Sequence, residues 1–228
     1  MVMAREIVML VAAGVLFLGG VLAFASGGGT AMTADEALQK LLEGNQRYVA
    51  NQMTGQKLSD ATARQSLAKG QRPYAIILSC SDSRVPPEII FDKGLGEIFV
   101  VRVAGNISDP VVLGSIEYAV EHFGSPLIMV LGHDRCGAVT AAVEAKGAVP
   151  EGNIGAIIKT LAPAVMQAEK EAVGKDKAEL IETAIDCNIR LVCDALVEHS
   201  EIIKSFKVKI VGAKYDLHDG KVRLLEGK

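Results

Sequence analysis

Two short motifs hold the side chains of this chain most able to do chemistry. The first is Ser79-Cys80-Ser81-Asp82-Ser83-Arg84-Val85-Pro86-Pro87-Glu88, directly after the apolar run Ala75-Ile76-Ile77-Leu78. The second is Gly132-His133-Asp134-Arg135-Cys136-Gly137, directly after Leu127-Ile128-Met129-Val130-Leu131. Taken singly, a cysteine beside a strand is usually a small buried hydrophobe, and a histidine there is usually a hydrogen-bonded structural residue. Taken together, Cys80, Asp82, His133 and Cys136 offer thiolate, imidazole and carboxylate, the ligand set that suits tetrahedral zinc. The H-x-x-C spacing brings His133 and Cys136 within one turn of each other, so both can face one ion. Cys80 must then arrive from a neighbouring strand end.

Spacing alone leaves a structural and a catalytic zinc both open, because two cysteines, one histidine and one carboxylate could close the coordination sphere completely. Asp82 and Arg84 tip the balance. One residue apart, on an extended segment they point the same way, and arginine grips a carboxylate through two parallel hydrogen bonds. That pair would draw Asp82 off the metal and leave the fourth position to a water whose pKa the ion lowers toward about 7. The competing reading is that Arg84 pairs with some other surface acid.

The elements that must position these residues alternate along the chain. Thr33-Ala34-Asp35-Glu36 has the form of a capping box, and Ala37, Leu38, Leu41, Leu42, Tyr48 and Val49 follow at helical spacing, so an amphipathic helix is expected over 34–50. Polar residues 51–72 carry a second short helix or a loop. Four β-branched apolar runs follow, Tyr74–Leu78, Ile98–Val103, Leu127–Leu131 and Val208–Val211. Each is continuous rather than alternating, as strands covered on both faces are. Helical stretches separate them near Val111–Phe123, Ala138–Lys146, Ile154–Ala172 and Ala178–Lys204. The expected fold is therefore α/β, a mostly parallel sheet flanked by helices with an N-terminal helical arm. Ligands bind such sheets at the carboxyl ends of the strands, where both motifs lie.

At these motifs the sequence resembles the β-class carbonic anhydrases. The C-x-D-x-R of that family matches Cys80-Ser81-Asp82-Ser83-Arg84, and its H-x-x-C-G matches His133-Asp134-Arg135-Cys136-Gly137. The likeness runs from about Gln71 to Val143, through Gly96–Arg102 and Ser115–Val120. It implies zinc on Cys80, His133 and Cys136, with Asp82 either a fourth ligand in an inactive state or paired with Arg84 in an active one. It implies reversible hydration of CO2 to bicarbonate and a proton through zinc-bound hydroxide, with Asp82 accepting the hydroxide's hydrogen bond and Arg84 fixing Asp82. Gln71 matches a substrate-positioning glutamine, and Phe99 and Tyr118 match residues lining an apolar pocket. The family's active site forms at a dimer interface, so a homodimer or higher homo-oligomer is expected, with the first helix wrapping the partner. For the 34–50 helix, ordinary core packing is an equal alternative. The chain departs from the pattern in lacking the tryptophan of the bicarbonate-responsive pocket and in its charged Asp134-Arg135 pair.

Composition agrees with a small-molecule enzyme. Of 228 residues 50% are hydrophobic, enough for a substantial core, and a formal net charge of -3 argues against nucleic acid as a partner. Four cysteines are too few for a disulfide scaffold, and Cys187 and Cys193 are expected to be buried free thiols. The run Ile7–Ala25, preceded by Arg5 and ending Ala23-Phe24-Ala25, has the parts of a secretory signal peptide, although it is also long enough for one membrane anchor. The expected organisation is a signal peptide or anchor at 1–25, a Gly-rich linker at 26–32 and the catalytic domain at 33–228. The protein would be periplasmic, with membrane contact only if the first segment is retained. Two other functions fit the residues: zinc hydrolysis of a CO2 analogue such as COS or CS2, and a non-catalytic structural zinc protein closed by Asp82.

Overall fold

A computed structural model describes residues 32–225. The expected signal or anchor segment, and all of the linker but Met32, lie outside the described residues. Helix α1 (Ala34–Val49) and the short α2 (Ala61–Leu67) precede a strand β1 (Ala75–Ser79), a single helical turn α3 (Pro87–Ile90) and strand β2 (Ile98–Arg102). Helix α4 (Pro110–Phe123) leads to β3 (Leu127–His133), and then α5 (Gly137–Glu144), α6 (Asn153–Glu171), α7 (Lys177–Glu198) and α8 (Glu201–Phe206) lead to β4 (Lys209–Tyr215) and β5 (Val222–Leu224). No helix among the described residues is long and apolar enough to cross a membrane.

The sheet order is β2-β1-β3-β4-β5, parallel throughout except that β5 runs antiparallel to β4. Every residue of β1 and β3 is buried, as their unbroken apolar runs require of strands covered on both faces. Alternate residues sort cleanly along β1. Ile76, Leu78 and then Cys80 enter the core shared with α4 to α8, whereas Ala75 and Ile77 enter the core shared with α1 and α3. The chain moves from β1 outward to β2 and then returns to the far side of β1 as β3. The winding therefore reverses between β1 and β3, and the crevice beyond their carboxyl ends is the switch point where such sheets place ligands.

Helix α1 starts as expected, with Thr33 and Glu36 capping each other. Its inward face, Ala37, Leu41, Gly44 and Asn45, packs on its own chain, and Asn45 ties the helix to the Ile90 and Gly220 carbonyls and to the Val222 N–H. The stretch expected as one helix to Lys204 is two, because Ser200 caps the new helix α8 by accepting from Ile203 N–H. Asp92, just after α3, accepts from Arg47 Nε at 2.6 Å, from Thr54 N–H at 2.7 Å and from Gly55 N–H at 2.5 Å. Burial alone would raise its pKa, but these donors outweigh burial and hold it below the usual carboxylate range.

Helix α7 sits directly on the sheet because two strand positions have no side chain. A Cβ on Gly132 would lie 2.5 Å from Ile189 Cδ1, and one on Gly212 would lie 2.8 Å from Ile189 Cγ2. Ile189 is fully buried and fills the groove these glycines leave beside the end of β3.

Two outcomes follow. Gly132→Ala should destabilise the fold by about 1–3 kcal/mol through overpacking, and adding Ile189→Val should recover part of that loss in urea unfolding. Asp92→Asn should cost about 2 kcal/mol, the value of hydrogen bonds to a charged group. A depressed folded pKa makes this stabilisation complete above about pH 4, and it is lost as pH falls through the lower folded value. The variant's stability should therefore vary less with pH in that acid range.

Candidate metal centre

Cys80 is the first residue beyond β1, His133 the last residue of β3, and Cys136 the N-cap of α5. Register aligns Ser79 with Leu131, so the ends of the two strands stand side by side. The ligand atoms of Cys80, His133 and Cys136 all lie within 4.8 Å of one another, a group of three among the described residues. The side chains are 4%, 0% and 1% exposed respectively.

The donor chemistry fits zinc. His133 Nδ1 is 2.9 Å from the Asp134 carbonyl, which can only accept, so Nδ1 carries the proton and Nε2 presents a lone pair. Nε2 is buried and has no hydrogen-bond partner among the described residues, so the polar atom left unpaired is the one a metal would take. Tetrahedral zinc with bonds of about 2.0–2.3 Å separates its ligand atoms by roughly 3.5 Å, within the spread seen here.

The surroundings favour one negative sulfur, that of Cys80. The Cys80 thiol is held well below its ordinary range, chiefly by the neighbouring Cys136 thiol and, against burial, by His133 and the backbone N–H groups of Gly105 and Asp82. Cys136 is pushed up by its hydrogen bond to the Cys80 sulfur, by burial and by the charge on Cys80, while the N–H groups of Val139 and Ala138 at the start of α5 pull the other way. A cation between the two sulfurs removes the repulsion that separates them.

Asp82 and Arg84 pair as expected, but not on an extended segment. Residues 82–85 form a turn in which Val85 N–H donates to the Asp82 carbonyl. Arg84 N–H and Nε both donate to Asp82 Oδ1 at 2.9 Å, and Nη2 donates to Oδ2 at 2.7 Å. The turn and the guanidinium fork together select one carboxylate orientation. Arg84 holds the Asp82 carboxyl far below the usual range, against a smaller opposing effect of burial. Oδ2 lies 3.9 Å from His133 Nε2, so the carboxylate borders the ligand cluster while bound to arginine.

Several supports were not legible as motifs. Arg102, at the end of β2, donates to the Cys80 carbonyl at 3.0 Å and to the Asp82 carbonyl at 2.6 Å, clamping the first motif from the neighbouring strand. Gly105 N–H donates to Cys80 Sγ at 3.3 Å. A lone arginine ending an apolar strand, followed by Ala104-Gly105-Asn106, was the available signal. The charged pair between the second-motif ligands also has a place. Asp134 accepts from Leu217 N–H at 2.7 Å, tying the motif to the chain beyond β4, and Arg135 takes a positive φ of 52° at the turn. Cys187 and Cys193 are free thiols, buried and half-buried.

The remaining expected residues lie apart from this cluster within one chain. Phe99 pairs in register with Ile76, four residues before Cys80, or about 13 Å down the sheet at 3.3 Å per residue. Its ring is 6.0 Å from Phe123, against which Tyr118 packs edge-on while stacking on His122. Tyr118 is 49% exposed, and Gln71 lies exposed in the segment leading to β1.

Residues 75–222 match the sequence profile of a family described as carbonic anhydrase. The chain is 42% identical over 190 residues to carbonic anhydrase 2 of Mycobacterium tuberculosis, covering 82% of this chain and 91% of that one. It is 40% identical over 197 residues to a carbonic anhydrase of Mycolicibacterium smegmatis, with the same coverage. Among solved structures, a β-carbonic anhydrase of Aspergillus fumigatus superposes with a TM-score of 0.66 at 26% identity, over 83% of this chain and 90% of that one.

As an expected outcome, protein dialysed against zinc should hold one ion per chain. Cys80→Ser, His133→Gln and Cys136→Ser should each weaken binding by more than the roughly 10–100-fold that losing a supporting hydrogen bond costs. Binding should release protons, so competition titrations should show weaker apparent affinity as pH falls, because thiols and imidazole must be deprotonated to ligate.

Proposed function

This chain belongs to the β-class carbonic anhydrase family, whose general reaction is the reversible hydration of CO2 to bicarbonate, and from that premise we propose that Cys80, His133 and Cys136 hold a zinc ion while Asp82, retained by Arg84, acts on the substrate water. The observation that carries this reading is the two-pronged Arg84–Asp82 pair standing beside three converged ligands. A purely structural zinc site closed by Asp82 has no use for an arginine that competes for its fourth ligand.

Zinc in this place supplies Lewis acidity, which brings the pKa of a coordinated water toward about 7. The chain's own residues do the rest. Asp82 stays ionised because Arg84 stabilises its charged form, so it can only accept a hydrogen bond. Arg84 occupies both lone pairs of Oδ1, through its backbone N–H and Nε, and one of Oδ2, through Nη2, so the free acceptor position is on Oδ2, the oxygen 3.9 Å from His133 Nε2. An acceptor fixed in that way dictates where the water's proton points, and hence where its lone pair points. Arg102 keeps the whole turn in place by its grip on the carbonyls of Cys80 and Asp82. If Asp82 left Arg84 for the metal the site would close, which makes the pair a gate.

Substrate CO2 is nonpolar and needs an apolar wall. Phe99 and Tyr118 belong to β2 and α4 at one edge of the sheet, where β2 has a neighbour on one side only. In a homodimer or higher homo-oligomer joined at this edge, Phe99, Tyr118 and Gln71 of one subunit would line the pocket of the other. The exposure of Tyr118 and Gln71 in the single chain, with Phe99 half-buried beside them, supports that arrangement. The apolar Ile7–Ala25 run supports export to the periplasm, with membrane attachment only where that run is retained.

Hydration of CO2, followed by stopped flow, should increase as pH rises above about 7. Asp82→Ala should reduce kcat/KM by about 10²–10⁴-fold, the range for a lost proton-handling group. Arg84→Ala should lose a similar amount while keeping one zinc per chain. Full activity in Arg84→Ala would refute the gate.

A further inference from the structure

The hydrogen bond from Gly105 to the Cys80 sulfur leads out of both motifs and into α7. Gly105 presents its N–H to Cys80 Sγ, and its carbonyl accepts from Asn188 Nδ2 at 2.8 Å in a buried bond that joins positions 83 residues apart. Asn188 is 4% exposed and sits between the fully buried Cys187 and Ile189. Polar side chains buried this deeply in an apolar helix face are retained where their hydrogen bonds have an object; this one is the backbone of the residue that touches the metal ligand.

The Gly105 peptide needs an outside hold. It lies in a three-residue helical turn, Ala104–Asn106, in which Gly105 itself takes non-helical angles, φ 74° and ψ 14°. Glycine reaches this left-handed region without steric penalty and can also leave it readily. The walls around it are close, since a Cβ would stand 3.2 Å from Leu161 Cδ1 and 3.3 Å from Ala138 Cβ, but apolar walls do not select the direction of an N–H. The Asn188 amide does, because holding the carbonyl of Gly105 restricts its ψ and with it the pose of the residue. Helix α7 is in turn seated on the sheet by Ile189 in the groove between Gly132 and Gly212, one residue from Asn188 and one from His133.

We propose that Asn188 is a positioning residue of the metal centre, holding Gly105 so that its N–H stays on the Cys80 sulfur and thereby setting how tightly Cys80, His133 and Cys136 bind zinc. The proposal rests on reading those three residues as a zinc site. Outer hydrogen bonds of this kind orient ligands and tune their donor strength, and their loss typically weakens metal binding by roughly 10–100-fold.

The test uses the full chain with Asn188→Leu, which keeps the branched shape and number of heavy atoms and removes the donor, and Asn188→Ser, which is smaller and retains a hydroxyl. Leu196→Ala, two turns further along α7 at a fully buried position, serves as a variant that loses stability without touching the network. Zinc affinity is measured by chelator competition, and the cobalt-substituted proteins are compared by their thiolate-to-cobalt absorption. The expected result is zinc binding weakened about 10–100-fold in Asn188→Leu, less in Asn188→Ser, with a shifted cobalt band in both, while Leu196→Ala has a lower Tm and wild-type affinity and spectrum. Wild-type affinity and spectrum in the Asn188 variants would overturn the proposal, as would equal weakening in Leu196→Ala. Asn188→Ser decides alone should Asn188→Leu not fold. Wild-type protein that takes up no zinc would instead remove the metal-site reading beneath the proposal, an outcome distinct from either.

Discussion

Two sulfurs and an imidazole nitrogen meet in a buried crevice, and much of the surrounding structure answers the electrostatic problem they create. An uncompensated buried charge is strongly unfavourable, and two thiolates side by side repel. Around them stand the N–H of Gly105, the start of α5, and the guanidinium of Arg102 on the carbonyls of the first motif. A divalent cation would supply the neutralisation that these partial charges leave incomplete. Asp82, the fourth group at the crevice, is already neutralised by Arg84, which is why it can border the ligands without joining them.

The sheet explains how residues more than fifty positions apart come to stand where they could share one ion. Parallel strands deliver their carboxyl ends to the same edge, and the reversal of winding between β1 and β3 opens a crevice at that point. Cys80 points into its core by continuing the alternation of Ile76 and Leu78. Cys136 is placed by the tight turn after β3, which Asp134 and Arg135 hold from both sides. Precision at the metal depends in this way on ordinary packing, including the seating of α7 on two glycines.

Much of this was legible in the residues. Unbroken apolar runs announced the central strands, and the two motifs named Cys80, Asp82, His133 and Cys136 as candidate ligands, of which the structure gathers the two cysteines and the histidine and pairs Asp82 with Arg84. The antiparallel strand β5 escaped because Val222-Arg223-Leu224 is short and carries a charge, so neither period nor composition marks it. Helix α8 was merged with α7 because the apolar pattern continues across His199-Ser200, where only the serine cap records the break. Asp82 and Arg84 meet through a turn rather than through strand geometry, which residue spacing alone does not distinguish. Arg102, Gly105 and Asn188 went unnoticed for a common reason. Each acts on a backbone group or through one, and the partner of a backbone hydrogen bond has no signature in the sequence. Phe99 and Tyr118, singled out by the resemblance, lie apart from the cluster within one chain, which residue spacing does not foretell.

Zinc X-ray absorption on the purified protein at neutral pH tests the central claim most directly. Two sulfurs at about 2.3 Å and one imidazole nitrogen at about 2.0–2.1 Å, completed by a single lighter atom, is the shell predicted for Cys80, Cys136 and His133. A shell of oxygen and nitrogen alone, or one of four sulfurs, would contradict it.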